Sequence, residues 1–149
     1  RAGRGDKEGE VIIQTYTPEH YSIQAAARQD YVAFYHEELA FRRDLGYPPF
    51  SFLARLLITG PVEKDVIDTA HQVTQEVELV THTQGLQTEF TTLGPSPAPL
   101  SLVRSRYRWH VLLKGSESAI REVLDGLVEV LPTGSDCSVS VDVAPSSLL

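Results

Sequence analysis

The chain has 149 residues and a net charge of −7, and 42% of its residues are hydrophobic and 22% charged. This length suits one compact domain with a fragment of a second, and the composition is that of a globular rather than a disordered protein. The negative charge excludes a uniformly basic nucleic-acid wrapper but allows a local basic patch, and no apolar run approaches the ~20 residues of a membrane span.

The first third of the chain predicts one strand followed by one long helix. Residues 11–16 are rich in β-formers and predict the strand. Thr17, followed by a proline, is a typical helix N-cap. Apolar residues near one helical face then continue to Leu45, and Gly46 ends the helix. Because two successive prolines forbid helix just beyond, we place a domain boundary between residues 46 and 47.

Residues 47–149 show the element order strand, helix, strand, strand, helix, strand. Small apolar residues recur every three or four positions over residues 62–80 and again over 120–131, which is the period of an amphipathic helix. The proline-rich stretch 94–99 predicts a loop. This order predicts an α+β fold, a ferredoxin-like βαββαβ sandwich with both helices on one face of an antiparallel sheet. The predicted strands are residues 52–59, 88–93, 106–113 and 139–143.

A basic segment interrupts the acidic chain. Between Phe90 and Ser116 the sequence contains four cationic residues and no aspartate or glutamate, whereas both flanking segments are acidic. The segment therefore predicts a local site for an anionic ligand. Its cationic residues are Arg104, Arg106, Arg108 and Lys114.

The strand predicted within this segment sorts its side chains onto two faces. Alternation places Arg106, Arg108 and His110 on one face and Tyr107 and Trp109 on the other. Guanidinium groups near large aromatic rings are the chemistry that binds phosphates and stacks on the bases of single-stranded nucleic acid. The alternative is that both rings belong to the core and that the arginines pair with surface acids.

Other kinds of site have little support in the sequence. The five histidines lack metal-ligand spacing, so we expect no metal site. Cys137 is the one cysteine, which excludes a disulfide framework and is typical of a reducing compartment. No nucleophile elbow, complete phosphate-binding loop or dinucleotide fingerprint occurs, so we expect no self-sufficient catalytic site. Because the chain begins at Arg1 and contains no methionine, we expect it to be an excerpt from a longer protein.

Several runs resemble one family of DNA helicases. The opening Arg1-Ala2-Gly3-Arg4-Gly5 is similar to the end of helicase motif VI. Further runs are similar to those of the primosomal protein N-prime (PriA) family of replication-restart helicases. The resemblance covers nearly the whole chain, and residues 62–89 diverge most. The matching runs include residues 9–16, Leu45-Gly46-Tyr47-Pro48-Pro49-Phe50, residues 93–99 and Arg104-Ser105-Arg106-Tyr107-Arg108-Trp109.

The resemblance implies that the chain is the C-terminal part of an ATP-dependent 3′–5′ DNA helicase of superfamily 2. Residues 1–46 would be the end of the second helicase lobe and residues 47–149 a C-terminal DNA-binding domain. Arg1 and Arg4 match the motif VI arginines that contact the nucleotide phosphates. The ATP and magnesium site and the structural zinc of the family lie upstream, so we expect no cofactor and no ATP hydrolysis in this fragment.

The resemblance also implies partners. It predicts binding of single-stranded and forked DNA, at stalled forks and D-loops, by a cytoplasmic protein of the bacterial primosome that contacts no membrane. The protein partners would be the single-stranded DNA-binding protein, other primosome proteins and the replicative helicase. Ser118 and Glu122 stand where some relatives have Arg and Gln for the acidic tail of the single-stranded DNA-binding protein.

Two functions of other classes stay open beside DNA binding. The chain could be a protein-interaction module that docks the single-stranded DNA-binding protein or primosome partners, since an acidic peptide is also an anionic ligand. A small-molecule-binding regulatory domain is the third candidate, but no polar pocket signature supports it.

Overall fold

The computed structural model describes residues 10–128, 131 and 136–145. Arg1 and Arg4, predicted to contact nucleotide, lie outside these residues. The chain divides into two compact units, the first ending at Asp44 and the second beginning at Leu45.

The described part of the first unit contains two helices, α1 (Tyr21–Arg28) and α2 (Tyr31–Asp44), in place of the predicted single helix. His20 caps α1, because its Nδ1 accepts a hydrogen bond from the Ser22 backbone N–H at 3.3 Å. The helix ends at Gln29, whose φ of 54° is left-handed. Asp30 then accepts a hydrogen bond from the Ala33 N–H at 2.9 Å, which is how a good N-cap residue starts a new helix.

The strand predicted for residues 11–16 is wrong. These residues have no regular secondary structure, and Val11 and Ile12 are 75% and 83% exposed. A strand needs a neighbour to satisfy its backbone hydrogen bonds. Among the described residues no strand pairs with this segment. The β propensity of the sequence therefore has no sheet in which to act.

The second unit has the predicted element order strand, helix, strand, strand, helix, strand. Its sheet has the order β2-β3-β1-β4, and all neighbouring strands are antiparallel. This confirms the predicted α+β fold of ferredoxin-like type. The elements are β1 (Phe52–Gly60), α3 (Glu63–Gln84), β2 (Phe90–Val103), β3 (Arg106–Gly115), α4 (Glu117–Leu127) and β4 (Ser138–Val143).

The core lies between the two helices and one face of the sheet. Val66, Val73 and Val77 of α3, spaced by seven and four residues, line one side of that helix and are fully buried there. Burial of such a side chain contributes about 1.5–3 kcal/mol relative to its exposure. The sheet contributes alternate residues of its two central strands to this core, namely Ala54, Leu56, Ile58, Val111 and Leu113.

The proline-rich stretch belongs to strand β2, so the loop predicted for residues 94–99 is wrong. β2 runs through the stretch, with shifts of register against β3 after Leu93 and after Pro97. Since β2 is an edge strand, one row of its backbone groups has no partner strand, and proline is tolerated there. Arg104 and Ser105, both with positive φ, then form the two-residue turn into β3.

Candidate nucleic-acid interface

In the described part of the second unit, one face of the sheet carries no helix and collects basic side chains. Val111 and Leu113 of β3 and Leu56 of β1 lie in the core on the helix side, so the alternate residues of both strands lie on the opposite, helix-free face. We call this face of the sheet the basic face, after its cationic residues and its histidine. These residues are Arg55, Arg106, Arg108, His110 and Lys114.

Backbone carbonyl groups hold Arg106 and Arg108 in place. Arg106 Nη2 donates to the carbonyl oxygens of Thr59 at 3.1 Å and Asp136 at 3.3 Å. Arg108 Nη1 donates to the Leu100 carbonyl at 3.3 Å. Within the described part of the chain neither arginine forms an ion pair with a carboxylate. Both guanidinium groups are therefore oriented by the fold while their charge is not neutralised by an acid.

The other two cations of the basic segment differ in their surroundings. Lys114 Nζ donates to the Leu45 carbonyl at 2.8 Å and lies 5.1 Å from the centroid of the Tyr47 ring, a cation–π contact. Lys114 thus fixes the start of the second unit. Arg104 lies exposed in the β2–β3 turn.

The two aromatic residues of β3 lie opposite the arginines. Tyr107 and Trp109 are half-buried and pack against the core on the helix side. Trp109 stands between Ile58 of β1 and Pro97 of β2 in the sheet. The rings of β3 therefore pack on the helix side of the strand and do not share a surface with the guanidinium groups.

Arg55 belongs to this face and was missed by the sequence reasoning. Its side chain is 8% exposed, and its Nη2 donates to Asp142 Oδ2 at 2.9 Å in an ion pair. The signal was present in the sequence, because Arg55 is the one charged residue of strand β1. A charged residue in such a strand has to be paired or solvated.

His110 is buried beside this arginine. In the register of the sheet, Arg55 faces Leu112 and His110 faces Leu57, so the two side chains are diagonal neighbours on the same face. Burial lowers the pKa of His110, and the positive charges of Arg55 and Arg108 lower it further. Nε and Nη1 of Arg55 and Nδ1 of His110 are buried without a hydrogen-bond partner.

The remaining predicted positions lie away from the basic face. Ser118 and Glu122 are exposed on α4, which packs on the helix side of the sheet.

Among the described residues no group of histidine, cysteine and carboxylate side chains could hold a metal ion. A search of the same residues finds no helix with the length and hydropathy needed to span a membrane.

Comparison with known proteins identifies the family. Residues 43–146 match the family model described as "Primosomal protein N C-terminal domain". The chain is 37% identical over 130 residues to replication restart protein PriA of Bacillus subtilis, covering 87% of the chain and 16% of the relative. The PriA proteins of Synechocystis and Haemophilus influenzae are 37% and 33% identical, over 99% of the chain and 17% and 20% of their own lengths.

These matches confirm the resemblance found in the sequence. The family model covers more than half of the chain, and the chain belongs to the family of primosomal protein N C-terminal domains. The chain spans 16–20% of the length of these curated relatives.

Proposed function

We propose that this member of the primosomal protein N C-terminal domain family binds single-stranded and forked DNA through its basic face. It would do so as the C-terminal part of a 3′–5′ helicase that serves replication restart in the bacterial cytoplasm. The observation that carries the proposal is the geometry of Arg106 and Arg108. They lie on one helix-free face, are held by backbone carbonyls and have no carboxylate partner in the described chain.

The electrostatics favour a local contact with phosphates. A chain of net charge −7 repels DNA as a whole, so attraction has to come from a surface where cations are not neutralised. Guanidinium groups pre-oriented by carbonyls lose less side-chain entropy when a phosphate binds. We assign the phosphate contacts to the four cations of the basic segment, which are Arg106, Arg108 and Lys114 on the basic face and Arg104 in the adjoining β2–β3 turn.

Tyr107 and Trp109 take a different role in this proposal. As candidates for DNA binding they would have to stack on bases, which requires an exposed ring. Their packing against the core supports a structural role in holding β3 and its arginines in place. Binding should therefore depend on phosphates and show little preference among base sequences.

The first unit fits the remainder of the proposal. Helix α2 has no buried residue, and its Tyr31 and Val32 are 72% and 63% exposed. Such apolar surface suits a segment that other parts of a longer protein cover, and we assign residues 1–46 to the end of the second helicase lobe and residues 47–149 to the DNA-binding domain. ATP binding and contacts with the single-stranded DNA-binding protein, other primosome proteins and the replicative helicase belong to the whole protein.

The test is to titrate labelled single-stranded and forked DNA with the protein at several salt concentrations and to measure the binding constant at each. About four phosphate contacts on a single strand give a log–log salt slope near −3, and Arg106→Ala with Arg108→Ala should reduce the slope by about 1.4. The matched control is Lys64→Ala with Arg121→Ala, which removes the same charge from α3 and α4 on the other side of the sheet. The control should leave affinity for DNA within about twofold.

Two results would overturn the proposal. One is an unchanged slope in the double arginine variant while its thermal unfolding shows a folded protein. The other is tighter binding of an acidic peptide than of DNA at equal charge, which would favour the protein-interaction module.

A further inference from the structure

The basic face contains three polar groups whose hydrogen-bonding capacity is unused although they are buried. Arg55 has five N–H donors, and the structure gives a partner to Nη2 alone, at Asp142. Nε and Nη1 of Arg55 and Nδ1 of His110 are the unpartnered atoms. Arg55 and His110 are each 7% exposed. Leaving such groups buried and unpaired costs free energy, so each needs a partner.

These groups converge from two strands. Arg55 lies on β1 and His110 on β3, diagonally opposed on the helix-free face, and both strands are central in the sheet. Arg108 lies two residues from His110 on the same face. Asp142, the ion-pair partner of Arg55, belongs to the edge strand β4, and its side chain is 44% exposed.

We propose that Arg55 and His110 form a phosphate-binding subsite, in which Arg55 Nε and Nη1 and His110 Nδ1 donate hydrogen bonds to one phosphate group. Three donors arriving from two strands suit a tetrahedral anion with several acceptor oxygens better than a planar carboxylate. The inference deepens the proposed function and rests on it for the source of the phosphate, which is the DNA backbone. Free inorganic phosphate offers the same chemistry.

Asp142 is the competitor of the anion in this subsite. Its carboxylate neutralises Arg55 and repels a phosphate that approaches the same guanidinium. Asp142→Asn should therefore tighten phosphate binding, an effect opposite to the loss expected when an ion pair with a purely structural role is broken. Asp68→Asn, which removes the acid partner of Lys64 on the helix side, is the matched control and should leave phosphate binding unchanged.

The experiment follows the Arg55 Nε–H and the His110 ring by NMR while the full chain is titrated with inorganic phosphate and, separately, with a short single-stranded oligonucleotide. Chloride at equal ionic strength serves as the screening control. Saturable shifts at both residues are expected with phosphate or with DNA. Arg55→Lys keeps the charge and removes the unpartnered guanidinium donors, and should weaken binding by about ten- to a hundredfold.

The titrations with DNA, inorganic phosphate and chloride distinguish the possible ligands of the subsite. Shifts with DNA alone support a backbone phosphodiester as the ligand, and shifts with both probes support a general phosphate site. Equal responses to phosphate and chloride, or no response at Arg55 and His110 in either titration, overturn the subsite and leave buried water as the partner of these groups.

Two further measurements keep the subsite testable if a variant does not fold or if the DNA proposal fails. If Arg55→Lys does not fold, His110→Ala compared with His110→Asn replaces it, since asparagine returns a donor near the Nδ1 position and should restore part of the binding. If the Arg106 and Arg108 variants leave DNA binding unchanged, the DNA proposal fails, whereas the titration with inorganic phosphate still decides whether the subsite exists.

Discussion

The two units of the chain differ in where their apolar side chains lie. The largest fully buried side chains all belong to the second unit, where sheet and helices cover one another. In the described part of the first unit, Ala25 is the one buried residue, while Tyr31 and Val32 are exposed. The apolar side chains of the second unit are thus covered within it, whereas several of those described in the first unit are exposed.

The first unit is held by a few aromatic and polar contacts. The Tyr21 ring lies 5.2 Å from that of Phe41 and 6.2 Å from that of Phe34. The Tyr21 hydroxyl donates to Glu38, which also pairs with Arg42 at 2.6 Å. Aromatic pairs contribute about 0.5–1.5 kcal/mol each, and ordering a residue costs about 1–2 kcal/mol. We therefore expect the described contacts of the first unit to contribute less than the fully buried core of the second unit.

The largest expected effect comes from separating the two units. A chain of residues 45–149 should retain a cooperative thermal transition, because the core and the contacts of Lys114 with Leu45 and Tyr47 remain. A peptide of residues 1–44 should show little helix by circular dichroism. If residues 45–149 instead give a broad, non-cooperative transition, the first unit is part of the folding core and the boundary is wrong.

Two alanine substitutions in the intact chain test the same difference between the units at single residues. Ile120 is fully buried between α4 and the sheet, so Ile120→Ala should lower the free energy of unfolding by about 2–5 kcal/mol. Tyr31→Ala removes a larger side chain that is 72% exposed and should cost less than about 0.5 kcal/mol. Urea denaturation measures both, and equal losses would show that the first unit buries its aromatic residues.

The sequence predicted those features that depend on local period. The valine spacing of α3 and the alternation of β3 each determine a face, and the structure shows Arg106 and Arg108 on one side and Trp109 on the other. Local pattern also indicated the order of elements in the second unit. These features need no knowledge of neighbouring elements.

The features that sequence reasoning missed depend on neighbours in space. Proline in β2 is tolerated because the strand lies at the sheet edge, and residues 11–16 have no strand to pair with in the described chain. The burial of Arg55 depends on what surrounds β1, and the carbonyl partners of Arg106 come from distant segments. None of these neighbours can be identified from a local pattern.

The smallest expected effect is a difference between the two units in how their stability depends on pH. His110 has its pKa lowered from its ordinary value of 6.5 by burial and by Arg55 and Arg108. Below pH 6.5 the unfolded state therefore binds more protons, and the second unit should lose stability until the pH reaches the lowered pKa. In the first unit, the hydrogen bonds from Tyr21 and Arg42 lower the pKa of Glu38 from 4.5, so its loss begins only below that value.

The His110 contribution is isolated by His110→Asn, which does not titrate. Urea denaturation at a series of pH values should show the stability advantage of the natural chain over this variant shrinking as the pH falls from about 7.5 to about 5.5. Among the described residues, the charged groups that act on His110 are Arg55 and Arg108, with Asp142 paired to Arg55. Because the two arginines stay charged throughout this range and oppose protonation of the imidazole, the sign of the change is fixed. A difference that grows on acidification would show that an acid stabilises the imidazolium, and His110 would then be paired rather than buried among cations.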